Sequence, residues 1–368
     1  ETGGPFSEGS MKFIHTGDFH CGRIPACDRP WGKKREQAIR LTFRSIIEDA
    51  REKRVDLLLI TGDLFHRQPL ARDLKEINYL FSTIPSTRVV IIAGNHDRIT
   101  KSSSVLSFSW NSNVSFLMDG ELSSVYFDSL NTEVYGFSYH SPEITAPFGE
   151  GLSIPDSKRI RILMLHGGDA KHVPFDKNVL AALPFSYIAL GHIHKPAVLM
   201  ENRMAYCGSP EPLDLTETGA HGYFLGEIDE GSGRVVSLSF QPVSQAQYIP
   251  LVVNVTPATT NEELAQIIAG EIRKRGASNI YRFRIRGMRD PDTEFDTEFL
   301  SGQWNIIEML DESEPQYDFH ALFAEHPSDM IGFYIQALMK EDMSAVEKKA
   351  LYYGIHALLM TKDERSQP

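Results

Sequence analysis

Cysteine is scarce in this sequence, with three residues among 368, at Cys21, Cys27 and Cys207. An odd and sparse set of thiols excludes a disulfide framework and predicts a reducing, cytoplasmic environment. No run approaches the roughly 18 consecutive apolar residues of a transmembrane helix, so we expect no membrane span. Residues 1–10 are polar and lack the apolar stretch of a signal peptide, and we interpret them as an expression remnant.

The sequence also lacks the excess of basic residues that many nucleic-acid-binding proteins carry. Its formal net charge is -12, from 49 Asp and Glu against 37 Lys and Arg. The imbalance is local, because the stretch from Asp290 to Asp329 contains 12 acidic residues and no Lys or Arg. The remainder of the chain is neutral and can carry basic patches, so the overall charge does not exclude DNA as a partner.

Residues 11–244 alternate apolar runs with helical patterns and then become mostly strands. Buried strands are predicted at residues 12–15, 56–60, 89–93, 160–165 and 188–190, and a helix with one apolar face at 35–54. Antiparallel strands are predicted at 134–139, 204–207, 223–228 and 235–240. The pattern predicts an α/β (α+β) domain, a two-sheet β-sandwich flanked by helices.

Three further segments follow this domain. Residues 245–290 have a strand–helix–strand (βαβ) pattern, with Thr260 or Asn261 as the helix cap, and are predicted to form a small cap domain. Residues 291–328 are predicted to form an acidic linker segment without an assigned role. Residues 329–368 are predicted to form two amphipathic C-terminal helices.

The informative feature is where polar residues fall relative to the predicted strands. Five apolar runs are each followed by His, Asp or Asn. These residues are Asp18 and His20, then Asp63, then Asn95, His96 and Asp97, then His166, and finally His192 and His194. In open α/β sheets, ligand sites form at the carboxyl ends of the strands. We therefore expect these side chains to converge at one edge.

This donor set consists of oxygen and nitrogen atoms without a thiolate, which suits Mn, Fe or Zn rather than a structural zinc site. A shared carboxylate with two further ligand groups would hold two ions about 3.5–4 Å apart, on either side of a phosphate group. An unliganded histidine nearby would help the leaving oxygen to depart by donating a proton. Each motif alone has an ordinary explanation, such as a turn or surface histidines, but the ordered set of five favours a metal site.

At these residues the chain resembles the calcineurin-like metallophosphoesterases, whose signature runs D-x-H, GD, GNH[DE], H and GH-x-H. The resemblance covers residues 11–241. Within that superfamily, the segments FIHTGDFHCG, VDLLLITGDLFH, VVIIAGNHD and YIALGHIHKP resemble the SbcD-type exonuclease subunits of DNA double-strand-break repair and their archaeal and eukaryotic relatives.

The resemblance implies a role for each matching residue. One ion would be held by Asp18, His20, Asp63 and His194, and the other by Asp63, Asn95, His166 and His192. Asp63 would bridge the two ions, and His96 would be the general acid or orient the phosphate. His66, in GDLFH, would steer the phosphate beside His96, although it could instead cap the following loop. We expect Asp97 to orient His96 through a hydrogen bond.

Two basic clusters are candidates for contact with DNA. In the strand at 280–288, alternation places Arg282, Arg284 and Arg286 on one face, where they could touch the phosphate backbone or pair with nearby acids. Lys33, Lys34 and Arg35 follow the first predicted metal loop, and they could either bind DNA or form a solvated helix start.

In the family resembled, the nuclease subunit works with an SMC-like ATPase (SbcC-type), which grips C-terminal helices of the nuclease. Here one predicted helix has an apolar stripe of Met330, Phe333, Ala337 and Leu338, and the next has Val346, Ala350, Gly354 and Leu358. These stripes could bind the ATPase or pack on the protein's own core. A homodimer is a further possibility, but no apolar stripe in the sequence identifies its surface.

The sequence thus predicts a Mn-dependent DNA phosphodiesterase with two Mn²⁺ ions, for which Fe²⁺, Zn²⁺ and Mg²⁺ are alternatives. The resemblance implies a 3′ to 5′ exonuclease with single-strand endonuclease activity in DNA repair and recombination. One alternative is a calcineurin-like phosphodiesterase or phosphatase that acts on nucleotides or phosphoproteins. Another is a non-catalytic scaffold subunit of the ATPase, which the complete ligand set argues against.

Overall fold

A computed structural model describes residues 9–364 of the chain. The first of two compact units extends to Ile249 and includes Ala277–Arg282, and the second comprises Pro250–Gly276 and the chain from Phe283 onward. The domain boundaries expected at residues 244 and 290 stay predictions. The interpretation of residues 1–10 concerns mostly residues 1–8, which lie outside the described part.

Residues 9–242 of the first unit contain twelve strands and three α-helices. In chain order these are β1 (Ser10–Thr16), α1 (Gly32–Glu52), β2 (Leu57–Thr61), α2 (Ala71–Ser82), β3 (Arg88–Ile92), β4 (Val114–Phe116), β5 (Ser123–Phe127), β6 (Thr132–Gly136), β7 (Ile160–His166), α3 (Lys177–Ala182), β8 (Tyr187–Gly191), β9 (Ala197–Met200), β10 (Met204–Tyr206), β11 (Gly222–Asp229) and β12 (Val235–Pro242).

These strands form two six-stranded sheets, in the orders β12-β11-β1-β2-β3-β4 and β5-β6-β7-β8-β10-β9. In each sheet the central strands are parallel, as in β1, β2 and β3 or β6, β7 and β8. The strands β11 and β12 pair antiparallel, as do β5 and β6. The predicted two-sheet architecture is confirmed.

Both faces of the central strands are buried, which explains their continuous apolar runs. In β1, Phe13 belongs to the same apolar cluster as residues of the second sheet such as Met164, whereas Ile14 belongs to a cluster that includes Phe43 of α1. One apolar cluster therefore fills the space between the sheets. Others lie under α1 and α2 on one side and α3 on the other. The predicted flanking helices are confirmed.

The remaining elements begin with β13 (Tyr248–Val255), α4 (Asn261–Arg275) and β14 (Ile280–Arg289), followed by α5 (Thr297–Gln303), β15 (Ile306–Asp311), β16 (Glu314–Pro315), α6 (Phe319–Glu325), α7 (Met330–Leu338) and α8 (Ala345–Glu364). Thr260 is the N-cap of α4, and its side chain accepts a hydrogen bond from the backbone N–H of Glu263. The acidic segment 291–328 is more than a linker, because β15 extends the sheet β13-β14-β15 and α5 and α6 flank it in sequence.

The C-terminal helices pack on each other mainly through residues outside the two predicted stripes, although Leu338 and Leu358 join the edge of the contact. Ile331 and Ile335 of α7 form a buried cluster with Leu351 and Ile355 of α8. By contrast, Met330, Phe333 and Val346 are 67%, 55% and 77% exposed. The residues that pack between the helices were not predicted, because the sequence MIGFYIQAL is apolar almost all round and periodicity does not select one face. Binding of the ATPase, one of the two alternatives for the stripes, stays a prediction.

Among the described residues, no helix combines the length and the apolar character needed to cross a bilayer.

All three cysteines are free thiols, with Cys207 buried and Cys27 exposed.

Candidate metal centre

The seven predicted metal ligands lie at one edge of the first unit, His166 as the last residue of β7 and the other six in loops. The loops follow β1, β2, β3 and β8, and the carboxyl ends of these strands and of β7 lie at this edge because the strands are parallel within each sheet. Four ligands are almost entirely buried, namely Asp18, His20, Asp63 and His166. The fold therefore gathers side chains that are up to 176 positions apart in the sequence.

The first cluster consists of Asp18, His20 and His194, whose ligand atoms lie within 4.8 Å of one another. Nε2 of His20 and Nε2 of His194 are 3.1 Å apart. The Nδ1 atom of His194 is 2.6 Å from Oε1 of Glu217. Because the carboxylate can only accept, Nδ1 carries the proton, and Nε2 of a neutral His194 presents its lone pair towards His20. Two imidazoles can thus bind one cation here.

The second cluster adds His166 and Asn95 to the carboxylates. Nε2 of His166 is 3.0 Å from Oδ1 of Asn95, and Nδ1 of His166 donates to the carbonyl oxygen of Thr61 at 2.9 Å. Oδ2 of Asp63 is 3.5 Å from Nε2 of His166 and also 3.5 Å from Nε2 of His20. Asp63 therefore lies between the two clusters, which is the position that a shared ligand must have.

His192 stands at the edge of the second cluster. Its ring centre is 5.1 Å from that of His166. Its Nε2 atom is 2.8 Å from Oδ2 of Asp169, so a metal ion would be bound through Nδ1. The backbone N–H of His192 donates to both oxygens of Asp18, at 3.0 and 2.9 Å. This contact links the two clusters through the backbone.

Two carboxylates that were not predicted from the sequence contact His192 and His194. Each contacts the ring nitrogen that would point away from a metal ion. Asp169 contacts His192, and Glu217 contacts His194. Such partners fix the tautomer and the orientation of a ligating imidazole. An acid three positions after His166 was a usable signal for Asp169, whereas nothing in the sequence around Glu217 points to its role.

The backbone at the site adopts conformations that are costly for residues with a side chain. Asp18, His20 and Asp63 have φ values of 51°, 49° and 49°, and His192 has 90°. Each such residue costs on the order of 1–3 kcal/mol, and strain of this kind concentrates at functional sites. Gly94 is required for close approach, since a Cβ there would clash with Oδ1 of Asp63 and lie 2.7 Å from Cε1 of His166.

The electrostatics of the clusters favour a bound cation. Burial raises the pKa of Asp18 to about 6. Burial also opposes ionisation of Asp63, but the neighbouring His166 outweighs it and holds the pKa of this carboxyl well below its usual range. The same burial would lower the pKa of His166, yet Asp63 and Asp18 raise it to about 9. The two carboxylates thus draw positive charge to the site, and a divalent ion would supply it.

These observations fit divalent metal ions with oxygen and nitrogen ligands. The residues that would hold them are Asp18, His20, Asp63 and His194 on one side, and Asp63, Asn95, His166 and His192 on the other. The absence of a cysteine among these ligands argues against a structural zinc site.

The predicted catalytic histidines lie beside the first cluster. His66 and His96 are stacked, with ring centres 5.1 Å apart and an angle of 23° between the rings. The ring of His96 is 4.7 Å from that of His20, and its backbone N–H donates to Oδ1 of Asp63 at 3.0 Å. His96 is exposed, so its imidazole can reach a substrate. His66 faces the site rather than only capping a loop, since its Nδ1 is 3.3 Å from Nδ1 of His20.

Asp97 does not make the predicted hydrogen bond to His96. Within the described part of the chain, its carboxylate accepts from the backbone N–H groups of Gly94 and Phe65, at 2.7 and 3.1 Å. Burial raises its pKa to about 7. Asp97 therefore ties the loop after β3 to the loop that carries His66, because its side chain turns inward towards the backbone.

Each of the two predicted basic clusters is partly engaged within the protein. Arg35 is only 4% exposed and pairs with Oε2 of Glu211 at 2.8 Å. It cannot bind DNA, because the helix buries this position, whereas its neighbours Lys33 and Lys34 are exposed.

The expected alternation of β14 is present. Arg284 and Arg286 both pair with Glu312, at 3.2 and 2.8 Å, whereas Tyr281 and Phe283 are buried. Arg282 is half-buried. These ion pairs correspond to the alternative in which the arginines pair with nearby acids.

Comparison with known proteins agrees with this geometry. Residues 11–196 match the profile of the calcineurin-like phosphoesterase family. Among curated proteins, the chain is 26% identical over 298 residues to the uncharacterized metallophosphoesterase YhaO of Bacillus subtilis, covering 75% of this chain and 72% of that protein.

Two archaeal relatives carry the name DNA double-strand break repair protein Mre11. The protein of Methanopyrus kandleri is 27% identical over 304 residues, covering 73% of this chain and 66% of its own length. The protein of Archaeoglobus fulgidus is 29% identical over 237 residues, covering 56% and 52%. The matched part of this chain therefore spans about half to two thirds of these two proteins.

Proposed function

Because this chain belongs to the calcineurin-like phosphoesterase family, we propose that it hydrolyses the phosphodiester bonds of DNA. Membership of the family makes it a metal-dependent hydrolase. The proposed activity is that of a Mn-dependent 3′ to 5′ exonuclease with single-strand endonuclease activity. The observation that carries the proposal is the position of Asp63 Oδ2, 3.5 Å from a histidine of each cluster, beside the stacked pair of His66 and His96.

The chain's own residues would divide the work of the reaction. Divalent ions at this site would stabilise the charge on the phosphate and lower the pKa of an attacking water. His96, exposed at the edge of the site, would donate a proton from its imidazole to the leaving oxygen. His66, stacked on His96, would orient the phosphate. Asp97 would keep both histidines in place by holding the two loops together.

DNA as the substrate is supported by the named archaeal relatives and by the GDLFH motif. The names of two relatives assign them to DNA double-strand break repair. The runner-up is a phosphodiesterase or phosphatase of the same family that acts on nucleotides or phosphoproteins. A non-catalytic scaffold is disfavoured, since a scaffold gains nothing from four ligand positions in costly backbone conformations.

An SMC-like ATPase is the proposed protein partner, bound through the C-terminal helices. Residues Met330, Phe333 and Val346 are apolar and exposed on α7 and α8. They remain accessible because the two helices pack on each other through Ile331, Ile335 and their partners. A homodimer is also proposed, although nothing in the described residues selects its surface.

The test is cleavage of end-labelled duplex and single-stranded DNA with manganese, magnesium or EDTA. We expect degradation from the 3′ end with manganese and none with EDTA. A His96→Ala variant should retain metal and lose about 10²- to 10⁴-fold in rate, the usual contribution of a general acid. If the protein hydrolysed bis(p-nitrophenyl) phosphate but did not cleave DNA, the result would favour the runner-up. Unchanged cleavage by His96→Ala would indicate a contaminating nuclease.

A further inference from the structure

An open groove leads away from the stacked histidines. It has a volume of about 440 Å³ and is lined by His66 and His96, by Asn95 from the second cluster, and by Arg67 and Arg98. Its size falls within the roughly 300–1,000 Å³ of small-ligand sites. The groove thus joins candidate catalytic residues to two arginines that neither basic cluster of the sequence included.

The two arginines of the groove are not neutralised by the protein. Within residues 9–364, neither Arg67 nor Arg98 forms an ion pair with a carboxylate. Arg98 donates from Nη1 to the carbonyl oxygen of Asn95 at 3.3 Å, which fixes its guanidinium against the wall of the groove. Arg67 is exposed, next to His66.

Arg67 and Arg98 place positive charge on this side of the site. Both line the groove together with His66 and His96. Other arginines of this acidic chain have partners, such as Arg35 with Glu211 and Arg286 with Glu312. Cations without a carboxylate partner therefore collect beside the reactive histidines, where an anionic ligand would neutralise them.

We propose that this groove binds a second phosphate group of the substrate, adjacent to the scissile one, through Arg67 and Arg98. The planar guanidinium group offers paired N–H donors that match the oxygens of a phosphate. The proposal rests on the proposed function and makes it more specific. The preferred substrate is a chain with consecutive phosphates, rather than an isolated phosphodiester or a single phosphate on a protein.

The experiment uses the full chain with manganese and three thymidine dinucleotides. One has no terminal phosphate, one has a 5′-phosphate and one has a 3′-phosphate. We expect the wild-type protein to cleave at least one phosphorylated dinucleotide with a kcat/KM about tenfold or more above the unphosphorylated one, the effect of a charge-assisted hydrogen bond. In the double variant Arg67→Ala/Arg98→Ala this ratio should fall to about one, whereas Arg67→Lys should keep part of it because it keeps the charge.

The control is Arg51→Ala, an exposed arginine near the end of α1. Because α1 leads back to the start of β2, Arg51 lies at the opposite edge of the sheet, and this variant should keep the wild-type ratio. Equal ratios for wild type and double variant would overturn the inference, as would a loss of the ratio in Arg51→Ala. Circular dichroism and manganese content establish that each variant is folded and loaded. If the wild type cleaved neither DNA nor any of the dinucleotides, the proposed function would be overturned, and this inference with it.

Discussion

At the scale of single residues, carboxylate partners orient two of the candidate metal ligands, His192 and His194. Asp169 accepts hydrogen bonds from the backbone N–H groups of Lys171 and His172, at 2.7 and 3.0 Å. Its carboxylate is also 2.9 Å from Nδ1 of His172. It is therefore fixed when it contacts Nε2 of His192 at 2.8 Å. Loss of this contact frees the ring of His192 to rotate or to change its tautomer.

We predict that Asp169→Asn weakens the binding of one of two metal ions by about 10- to 100-fold, the usual cost of removing an outer partner of a ligating histidine. Calorimetric titration with manganese measures this as a separation of two binding steps. The matched control is Glu143→Gln, which removes an exposed carboxylate paired with Lys171. If Asp169→Asn bound manganese with the same affinities as the wild type, His192 would not need Asp169 to bind a metal ion.

Residue types and order were enough to predict that these seven side chains come together, but not which residues support them. The seven ligands follow apolar strands, and that arrangement is visible in the sequence. The position of Asp169 after His166 was a signal for an acid at the site but not for its contact with His192, and Glu217 acquires its role only when folding brings its loop to His194. Arg35 shows the converse problem, because a run of basic residues carries no information on which member a helix buries against Glu211.

At the scale of secondary-structure elements, the strand ends set the geometry of the site. The loop after β3 begins at Ala93, and Gly94 lets it approach Asp63 and His166 closely. Asp97 then anchors the same loop through the backbone of Gly94. A side chain at position 94 must therefore displace a candidate ligand.

We predict that Gly94→Ala lowers manganese affinity and the free energy of unfolding together, the latter by about 1–3 kcal/mol, the usual cost of overpacking. Chemical denaturation and metal titration measure the two effects. Gly270→Ala in α4 is the control, since nothing lies within 4 Å of the added methyl group. That change should stabilise the protein by about 0.4–1 kcal/mol. Normal metal binding by Gly94→Ala would mean that the loop tolerates a different position.

How well a secondary-structure element could be predicted depended on how its apolar residues are distributed over its faces. The core strands β2 and β3 were predicted closely because both faces are apolar. The buried face of α7 could not be predicted, because nearly all of its residues are apolar and only the contact with α8 selects Ile331 and Ile335. The segment 291–328 was predicted as a linker because its acidic residues obscure the apolar positions of β15.

At the scale of the whole molecule, the distribution of exposed groups matters more than their totals. A net charge of -12 conceals the uncompensated arginines beside the candidate site. Likewise, an ordinary apolar content conceals exposed side chains on the C-terminal helices, such as Phe333 and Val346. These two features are where DNA and a protein partner are proposed to bind.

We predict that Phe333→Asp/Val346→Asp weakens binding of the SMC-like ATPase by more than about tenfold, since exposed apolar anchors carry much of an interface's free energy. Surface plasmon resonance with the purified ATPase measures this. The melting temperature and the hydrolysis of a small phosphodiester should not change, because both residues are exposed. Val236→Asp, an exposed position on β12, is the control. If the Phe333→Asp/Val346→Asp variant bound the ATPase as tightly as the Val236→Asp control, α7 and α8 would not be part of the interface.

The central claim is that Asp63 joins two metal sites into one centre, and the stoichiometry of metal binding tests it most directly. Native mass spectrometry of the full chain, titrated with manganese, counts the ions on each molecule. We predict two ions for the wild type, and loss of both at the same manganese concentration for Asp63→Asn, because this residue lies 3.5 Å from a histidine of each cluster. A wild type that binds one ion or none, or an Asp63→Asn variant that still binds two, would contradict the account.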